Sequence, residues 1–469
     1  MKQSVVLFPG VGTGHLTPMI ELGKLFIDHG LSVTILILES PFNPSSTAPL
    51  ISRASAANPS ISFHLLPKNT LPPNVSPFTA FFDVFRLVTP HILDFFKSFS
   101  QTSRICAFIL DYLCTDPLDA AAELSIPTYF FCATSASNLI ALTLFPSLHD
   151  KFTASFKDLG ETPVEFPGLP TIPASHMPGP LMNRDEPTYD IFLNSLKRLP
   201  EAAGILVNTF EQLEPRAAAV LAAGLDVPGA KMPSVYCVGP VSDDAKGGEE
   251  ERHECLKWLD AQPAASVVFV CFGSMGSPSA EQLKEIAVGL ERSGQRFLWA
   301  VRSPPASQDR KKMFEPRPEL DLGAVMPEGF LERTEGRGMV LRSWAPQTAV
   351  LRHEAVGAFV SHCGWNSTLE ALCAGVPMIA WPMYAEQRMN RMLLVEEAKV
   401  AVAMEGYDKV MMRAEEVERK VRWVMEEEGG KKLRQRAAAL KEAADAAREE
   451  GGSSHKAWLE LMSVIKSEN

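Results

Sequence analysis

Nowhere does this chain run to about 18 uninterrupted apolar residues, so no segment reads as a membrane-spanning helix. C-x-x-C pairs are missing too. The cysteines at 106, 114, 132, 237, 255, 271, 363 and 373 stand apart, several inside apolar strand-like runs, which points to reduced buried thiols rather than a disulfide framework. No D-x-D motif occurs, so the usual carboxylate bridge between a divalent metal and a diphosphate is absent. Positive charge is the minority sign, with 45 Lys and Arg against 56 Asp and Glu, and the net charge of −11 argues against nucleic acid or an anionic membrane as partner. The start, Met1 to Phe8, runs straight into a strand-like pattern without the charged, apolar and small-residue regions of a signal peptide. The polar end from Ser463 to Asn469 is not expected to serve as a membrane anchor. A soluble, cytoplasmic protein is expected.

What is present is ordinary globular material: 469 residues, 46% hydrophobic and 22% charged, enough for about two to four domains. Apolar runs at Val5–Phe8, Val33–Leu38, Ile105–Leu110, Thr128–Phe131 and Gly204–Val207 read as buried parallel strands with helical spacing between several of them. That alternation is a doubly wound α/β sheet. It breaks at the polar, glycine-bearing stretch from Gly239 to Glu251 and resumes at Ser266–Phe272, with a capping box at Ser279-Ala280-Glu281-Gln282 and a further strand at Phe297–Val301. The expected division is a Rossmann-like domain over 1–238, a linker over 239–255, a second Rossmann-like domain over 256–445, and a final helix over 446–469 packing back on the first domain. Residues 303–323, rich in Pro and charge, read as a surface insertion. Two such halves imply a ligand cleft between them, outside the carboxyl ends of the strands.

The first half carries Gly10-Val11-Gly12-Thr13-Gly14-His15 directly after strand one, with Thr17 and Pro18 expected as N-cap and first helical residue and Gly30 as the stop. It is not a dinucleotide fingerprint. G-x-G-x-x-G counted from Gly10 requires glycine at 15 and finds His15, and Glu39 is the only acidic candidate after the second strand. A nicotinamide-dependent oxidoreductase is the alternative from a different class, and this mismatch weighs against it. His15 is the first candidate for a general base. Asp111, at a strand's carboxyl end, can lie beside it in a doubly wound sheet, where a carboxylate behind an imidazole fixes the tautomer and stabilises the imidazolium. Asp116 and Asp119 read as caps of the following helix.

The second half holds the densest chemistry, in the 44 residues from Trp344 to Gln387. Ala358–Ser361 reads as a short strand, His362-Cys363-Gly364-Trp365-Asn366 as a turn, and Ser367-Thr368-Leu369-Glu370 as a capping box opening a helix that Gly375 and Pro377 close. A strand, a tight turn and a helix N-terminus present unpaired N–H groups and the positive end of a dipole, which suits a pyrophosphate. His362, Asn366 and Ser367 add donors there. Glu370 is either a cap or the acceptor for ribose hydroxyls, and its setting favours ribose. Trp344 is either core or an indole platform for a base; Trp381 reads as core.

This segment resembles the signature box of the plant UDP-sugar-dependent glycosyltransferases of small molecules, family 1 with a GT-B fold, and the likeness extends in scattered motifs through Phe272-Gly273-Ser274 back to Gly12-Thr13-Gly14-His15. The resemblance implies two Rossmann-like domains facing each other across a cleft, the first binding the acceptor and the second UDP-glucose. In it Trp344 stacks on uracil, the Ala345 backbone reads the base edge, Gln347 and Glu370 hold ribose, and Ser274, His362, Asn366 and Ser367 hold the phosphates. Trp365, Glu386 and Gln387 face the sugar, with Thr134 or Ser135 meeting its 6-hydroxyl. The terminal Gln387 goes with glucose. His15 and Asp111 form the catalytic dyad of an inverting transfer that needs no metal or other cofactor. The implied acceptor is a flavonoid, chalcone or other phenol. O-transfer is the expectation, with C- or N-transfer or another UDP-sugar as the alternative, and a monomer is the expected state. Phe78–Phe85, Phe130-Phe131 and Met177–Met182 either line the acceptor pocket or fill the core.

Overall fold

The computed structural model describes residues 2–39, 48–68, 71, 77–242, 253–304, 319–342, 344–409 and 411–467, without the side chains of 77 and 78. Most of the expected linker and of the charged insertion lies outside the described residues. The chain divides into two compact units, Met1–Ser242 with Ala447–Asn469, and Asp243–Ala446. No helix among the described residues is long and apolar enough to cross a membrane.

The first unit is built on β1 (Lys2–Phe8), β2 (Ser32–Ile37), β3 (Ile61–Leu65), β4 (Ser103–Asp111) and β5 (Thr128–Cys132). A small antiparallel pair, β6 (Pro163–Val164) and β7 (Ile172–Pro173), precedes β8 (Gly204–Val207) and β9 (Ser234–Cys237). The main sheet runs β3-β2-β1-β4-β5-β8-β9, parallel throughout. Its inner strands are continuous apolar runs because helices cover both faces. Val5 to Phe8 are wholly buried, and so are Phe85, Phe130 and Phe131, which belong to the interior and not to a ligand surface. Phe81, Phe82 and Met182 stay partly exposed. The edge strands β3 and β9 break the pattern with exposed positions, Ser62, His64 and Leu65 in β3 and Ser234 in β9. The last helix, Ser453–Ser467, buries Trp458, Leu461, Met462 and Ile465 in this same core, with Trp458 against Phe26 at 4.8 Å and its Nε1 donating to Nδ1 of His29 at 2.9 Å.

The second unit has a parallel sheet in the order β12-β11-β10-β13-β14-β15. Its strands are β10 (Val267–Cys271), β11 (Arg296–Val301), β12 (Gly338–Arg342), β13 (Val356–Ser361), β14 (Met378–Ala380) and β15 (Ala401–Ala403). Val268, Val270, Phe297, Trp299 and Val360 fill one face, and Trp381 is core, edge-on to Phe272 at 5.3 Å. Ser279 caps the helix Ala280–Ser293 by accepting from the Gln282 N–H at 3.2 Å. The box is only half made, because the Gln282 amide bonds Met412 instead, through both its carbonyl and its N–H.

Candidate active site

In the first unit, β1 delivers the chain to Gly10 and the helix Thr13–Asp28 begins almost at once. The expected start at Thr17 and Pro18 is incorrect: Gly12, at φ 109°, is the N-cap, and its carbonyl accepts from the N–H groups of His15 and Leu16. Only glycine takes that conformation without strain, and it turns the chain into the helix five residues earlier than a Thr cap would. His15 therefore sits in the first turn. Asp111 ends β4, whose Leu110 lies level with Phe8 of β1, and its Oδ2 is 2.7 Å from His15 Nδ1. Its Oδ1 accepts from the Leu113 N–H at 3.0 Å. An ionised carboxylate only accepts, so Nδ1 carries the proton and Nε2 is the basic atom of a ring that is 27% exposed while Asp111 is buried. Sequence reading missed the part played by Gly10. A Cβ there would lie 3.1 Å from Cγ of His15 and 3.3 Å from Cγ of Asp111, so the glycine makes room for the pair.

Asp116 and Asp119 do not cap the next helix, Leu118–Glu123, whose N-cap is Pro117; Asp119 pairs instead with Arg198 at 2.6 Å. Burial raises the Asp116 carboxyl above its usual range. After β5, Ser135 is occupied as the N-cap of the helix Ala136–Lys151, accepting from the Asn138 N–H at 3.0 Å. Thr134 accepts from the Asn138 side-chain amide at 2.9 Å, which leaves its hydroxyl hydrogen to donate. The mouth of that helix is already filled by the buried carboxylate of Glu214, which takes the N–H groups of Ala136 and Ser137 at 2.8 and 2.9 Å and the hydroxyls of Ser137 and Thr209 at 2.7 and 2.6 Å. Glu214 lies 78 residues from Ala136, so no local pattern points to it.

In the second unit Trp344 is not core. It is 51% exposed, held edge-on by His253 at 5.6 Å, as a stacking platform would be. Ala345 behind it is buried. Gln347 opens the helix Gln347–Leu351 and its Nε2 donates to Ser367 Oγ at 2.8 Å and Glu370 Oε2 at 2.7 Å, bringing the three together. The capping box expected at Ser367–Glu370 does not form. The helix runs Trp365–Ala374 with Gly364 as N-cap, so Ser367 is its third residue and Glu370 its sixth, too far along to reach back to the cap. The early start follows from two backbone features. Cys363 holds φ 64°, a costly conformation for a residue with a Cβ, and Gly364 passes so close to His362 that a Cβ would stand 2.4 Å from Nε2. Gly273 flanks the same ring, where a Cβ would stand 2.5 Å from Nε2, just ahead of the exposed Ser274. The imidazole is buried and its pKa is pushed down to about 4 by desolvation, so at neutral pH it is an uncharged donor or acceptor.

Trp365, the first helical residue, is buried, while Asn366 beside it is partly exposed. Glu386 is the N-cap of the helix Gln387–Met392, after Ala385 at φ 52°. Gln387 is buried with its carbonyl oxygen accepting from the N–H groups of Met383 and Tyr384 at 2.9 and 3.0 Å, so its amide NH2, and not both ends, is what it can offer a ligand. Asn390 ties the two loops together by donating to the Cys363 carbonyl at 3.0 Å and to Glu386 at 3.2 Å. That brace lies beyond the last marker residue and was not anticipated.

The family model for UDP-glucoronosyl and UDP-glucosyl transferase matches residues 220–441. Over 99% of its length the chain is 46% identical to UDP-glycosyltransferase 88F3 of Pyrus communis, all of which is covered. The chain belongs to this transferase family. A phloretin 2'-O-glucosyltransferase of Malus domestica is 45% identical, with 99% of this chain and 100% of the relative covered. Among solved structures, the UDP-glucosyltransferase of Polygonum tinctorium capable of glucosylating indoxyl superposes with a TM-score of 0.88 at 36% identity, covering 99% of each chain. The two sheets are thus the two Rossmann-like domains of a GT-B fold, and the protein is a UDP-glycosyltransferase.

Proposed function

We propose that this glycosyltransferase moves glucose from UDP-glucose to a phenolic hydroxyl with inversion at the anomeric carbon, in the cytosol and without a metal. The 2.7 Å contact between His15 and Asp111 carries this reading. With Nδ1 held by the carboxylate, Nε2 takes the proton of the acceptor hydroxyl as its oxygen attacks the anomeric carbon from the side opposite UDP. Asp111 then faces an imidazolium that it stabilises. Trp344 stacks on uracil with the Ala345 backbone at the base edge, and the Gln347–Glu370 pair meets the ribose. The start of the Trp365 helix, with Ser274, His362, Asn366 and Ser367, receives the diphosphate as its charge grows. Trp365, Glu386 and the Gln387 amide face the sugar, and Thr134 donates to its 6-hydroxyl.

The acceptor class is supported by the relative that acts on phloretin and by the partly exposed Phe81, Phe82 and Met182. The compartment is supported by eight free cysteines, most of them buried, with thiols such as Cys363 and Cys237 pushed up to about 12 by burial and so poorly reactive. Incubating the enzyme with UDP-glucose and a panel of phenols, phloretin included, tests the reading by product mass and by acid lability of the new bond. Glucosides that hydrolyse in acid, formed equally well in excess chelator, are expected. UDP-galactose should be poorer by about one to two orders of magnitude in kcat/KM, because an epimer leaves buried polar groups unpaired. Acid-stable products, loss of turnover with chelator, or equal use of both donors would each remove the corresponding part.

A further inference from the structure

The neutral groups at the diphosphate end of the donor site raise a question of charge. His362 is uncharged at neutral pH, Ser274, Asn366 and Ser367 never carry charge, and a helix N-terminus supplies only about half an elementary charge. Arg388 and Arg391 lie over the Tyr407 ring at 5.8 and 5.3 Å, and Arg391, whose charge reaches the Cys363 thiol, is already paired with Glu396 at 3.6 Å. A departing UDP nevertheless gathers negative charge as the glycosidic bond breaks.

We propose that Arg302 is the cation that binds the donor's diphosphate and receives its growing charge, a reading that rests on the donor site lying along the carboxyl rim of the second sheet. Its position follows from register. Val301 is level with Arg342 on β12, Val270 of β10 with Trp299 of β11, and Cys271 of β10 with Ser361 of β13. Arg302 is the next residue after β11, so it stands at the rim between the Trp344 loop that follows β12 and the Gly273-Ser274 loop that follows β10. Side chains alternate along strands. Trp299 and Val301 point into the core face, as do Val270 and Phe272, which puts Arg302 on the opposite face with Cys271 and Ser361. Electrostatics agrees with this placement: the Cys271 thiol senses both Glu370 and Arg302, and Arg302 in turn senses Tyr384 on the loop after β14.

The state of the guanidinium is the second observation. Its Nε is buried without a hydrogen-bond partner, among the described residues no carboxylate pairs with it, and burial lowers its pKa. A largely buried cation without a counter-ion is costly to hold. A diphosphate supplies the missing partner, because the planar fork of guanidinium N–H groups matches two phosphate oxygens at once. The alternative is an arginine that only packs against the strand ends, in which case its loss would lower stability and leave ligand discrimination alone.

Calorimetric Kd values for UDP and for uridine, which keeps the base and ribose but has no phosphate, separate these. With Arg302→Met, UDP should bind at least ~10-fold more weakly, the scale of a charge-assisted hydrogen bond lost, while uridine stays within about 2-fold of wild type. Arg302→Lys should recover a large part of the UDP affinity, and kcat with UDP-glucose should fall in the same order as the charge is removed. Unchanged UDP affinity in Arg302→Met, or an equal loss for uridine, overturns the proposal. Arg302→Gln is read in the same way should the methionine variant not fold. A wild type that binds UDP no better than uridine would instead bring down the donor-site reading itself.

Discussion

At the scale of single residues, the dyad is set by one short contact and by the absence of one methyl group at Gly10. His15→Ala should lower turnover by roughly 10²–10⁴, the usual worth of a positioned base, while UDP affinity stays near that of the wild type. Asp111→Asn should do nearly as much, because an amide no longer compels the proton onto Nδ1. Retention of most activity by His15→Ala on a neutral alcohol acceptor would show that the base lies elsewhere. His362 makes a different prediction. Its ordinary pKa of 6.5 falls to about 4 in the fold, so the unfolded chain gains a proton below pH 6.5 that the native chain refuses until about pH 4. Stability is therefore full above pH 6.5 and declines as pH drops toward 4, by roughly 3 kcal/mol for this group when the decline is complete. Urea midpoints at pH 7, 5 and 4 for wild type and His362→Gln check it. The variant should lose less stability across that window, and identical acid slopes would mean the buried ring does not refuse the proton.

At the scale of elements, what could be read in advance was whatever a local pattern encodes. The continuous apolar runs of β1, β4, β5 and β10 announce strands covered on both faces, whereas β3 and β9 are edge strands with exposed positions, and β14 and β15, though apolar, are three residues each, below the length that marks a strand. Helix starts were misplaced for a physical reason. At Gly12 and at Gly364 the chain begins its helix on a glycine conformation or a close approach to His362, and the nearby Thr17 and Ser367 that look like caps lie inside. The dyad and the Gln347–Glu370 pair were legible because their residue types are chemically distinctive. Glu214 and Asn390 were not, since their partners are far off in sequence or belong to the backbone. Glu214 is the larger omission, for it seats the whole helix Ala136–Lys151 beside Thr134. Glu214→Ala removes an acceptor from two backbone N–H groups and two hydroxyls, and should destabilise the first unit by roughly 2–4 kcal/mol. Chemical denaturation monitored there measures it. A loss below about 0.5 kcal/mol would mean that water takes over the helix mouth at little cost.

At the scale of the whole molecule, the chain passes from the first compact unit to the second and then returns, since residues 447–469 belong with 1–242. The return is fastened by apolar burial: Trp458 lies on Phe26, and Leu461, Met462 and Ile465 enter the same core as β1 and β2. Trp458→Ala should cost the first unit roughly 3–5 kcal/mol, the range for deleting a buried aromatic, with the indole's hydrogen bond to His29 lost as well. The proposed UDP site lies wholly within the other unit, from Gly273 to Gln387, and has its own core around Trp299 and Val360. Their separate cores make the two perturbations independent. Trp458→Ala should therefore lower the unfolding midpoint of the first unit while leaving the Kd for UDP within about 2-fold at a temperature where both units remain folded. Ligand binding stabilises only the unit that holds it, so UDP at about 100 times its Kd should raise the stability of residues 243–446 by about 2.7 kcal/mol and leave the Trp458 deficit uncorrected. Hydrogen exchange read separately over the two units distinguishes these outcomes. Protection gained in the helix Ser453–Ser467 on adding UDP, or UDP affinity lost together with Trp458, would show instead that the two units unfold as one.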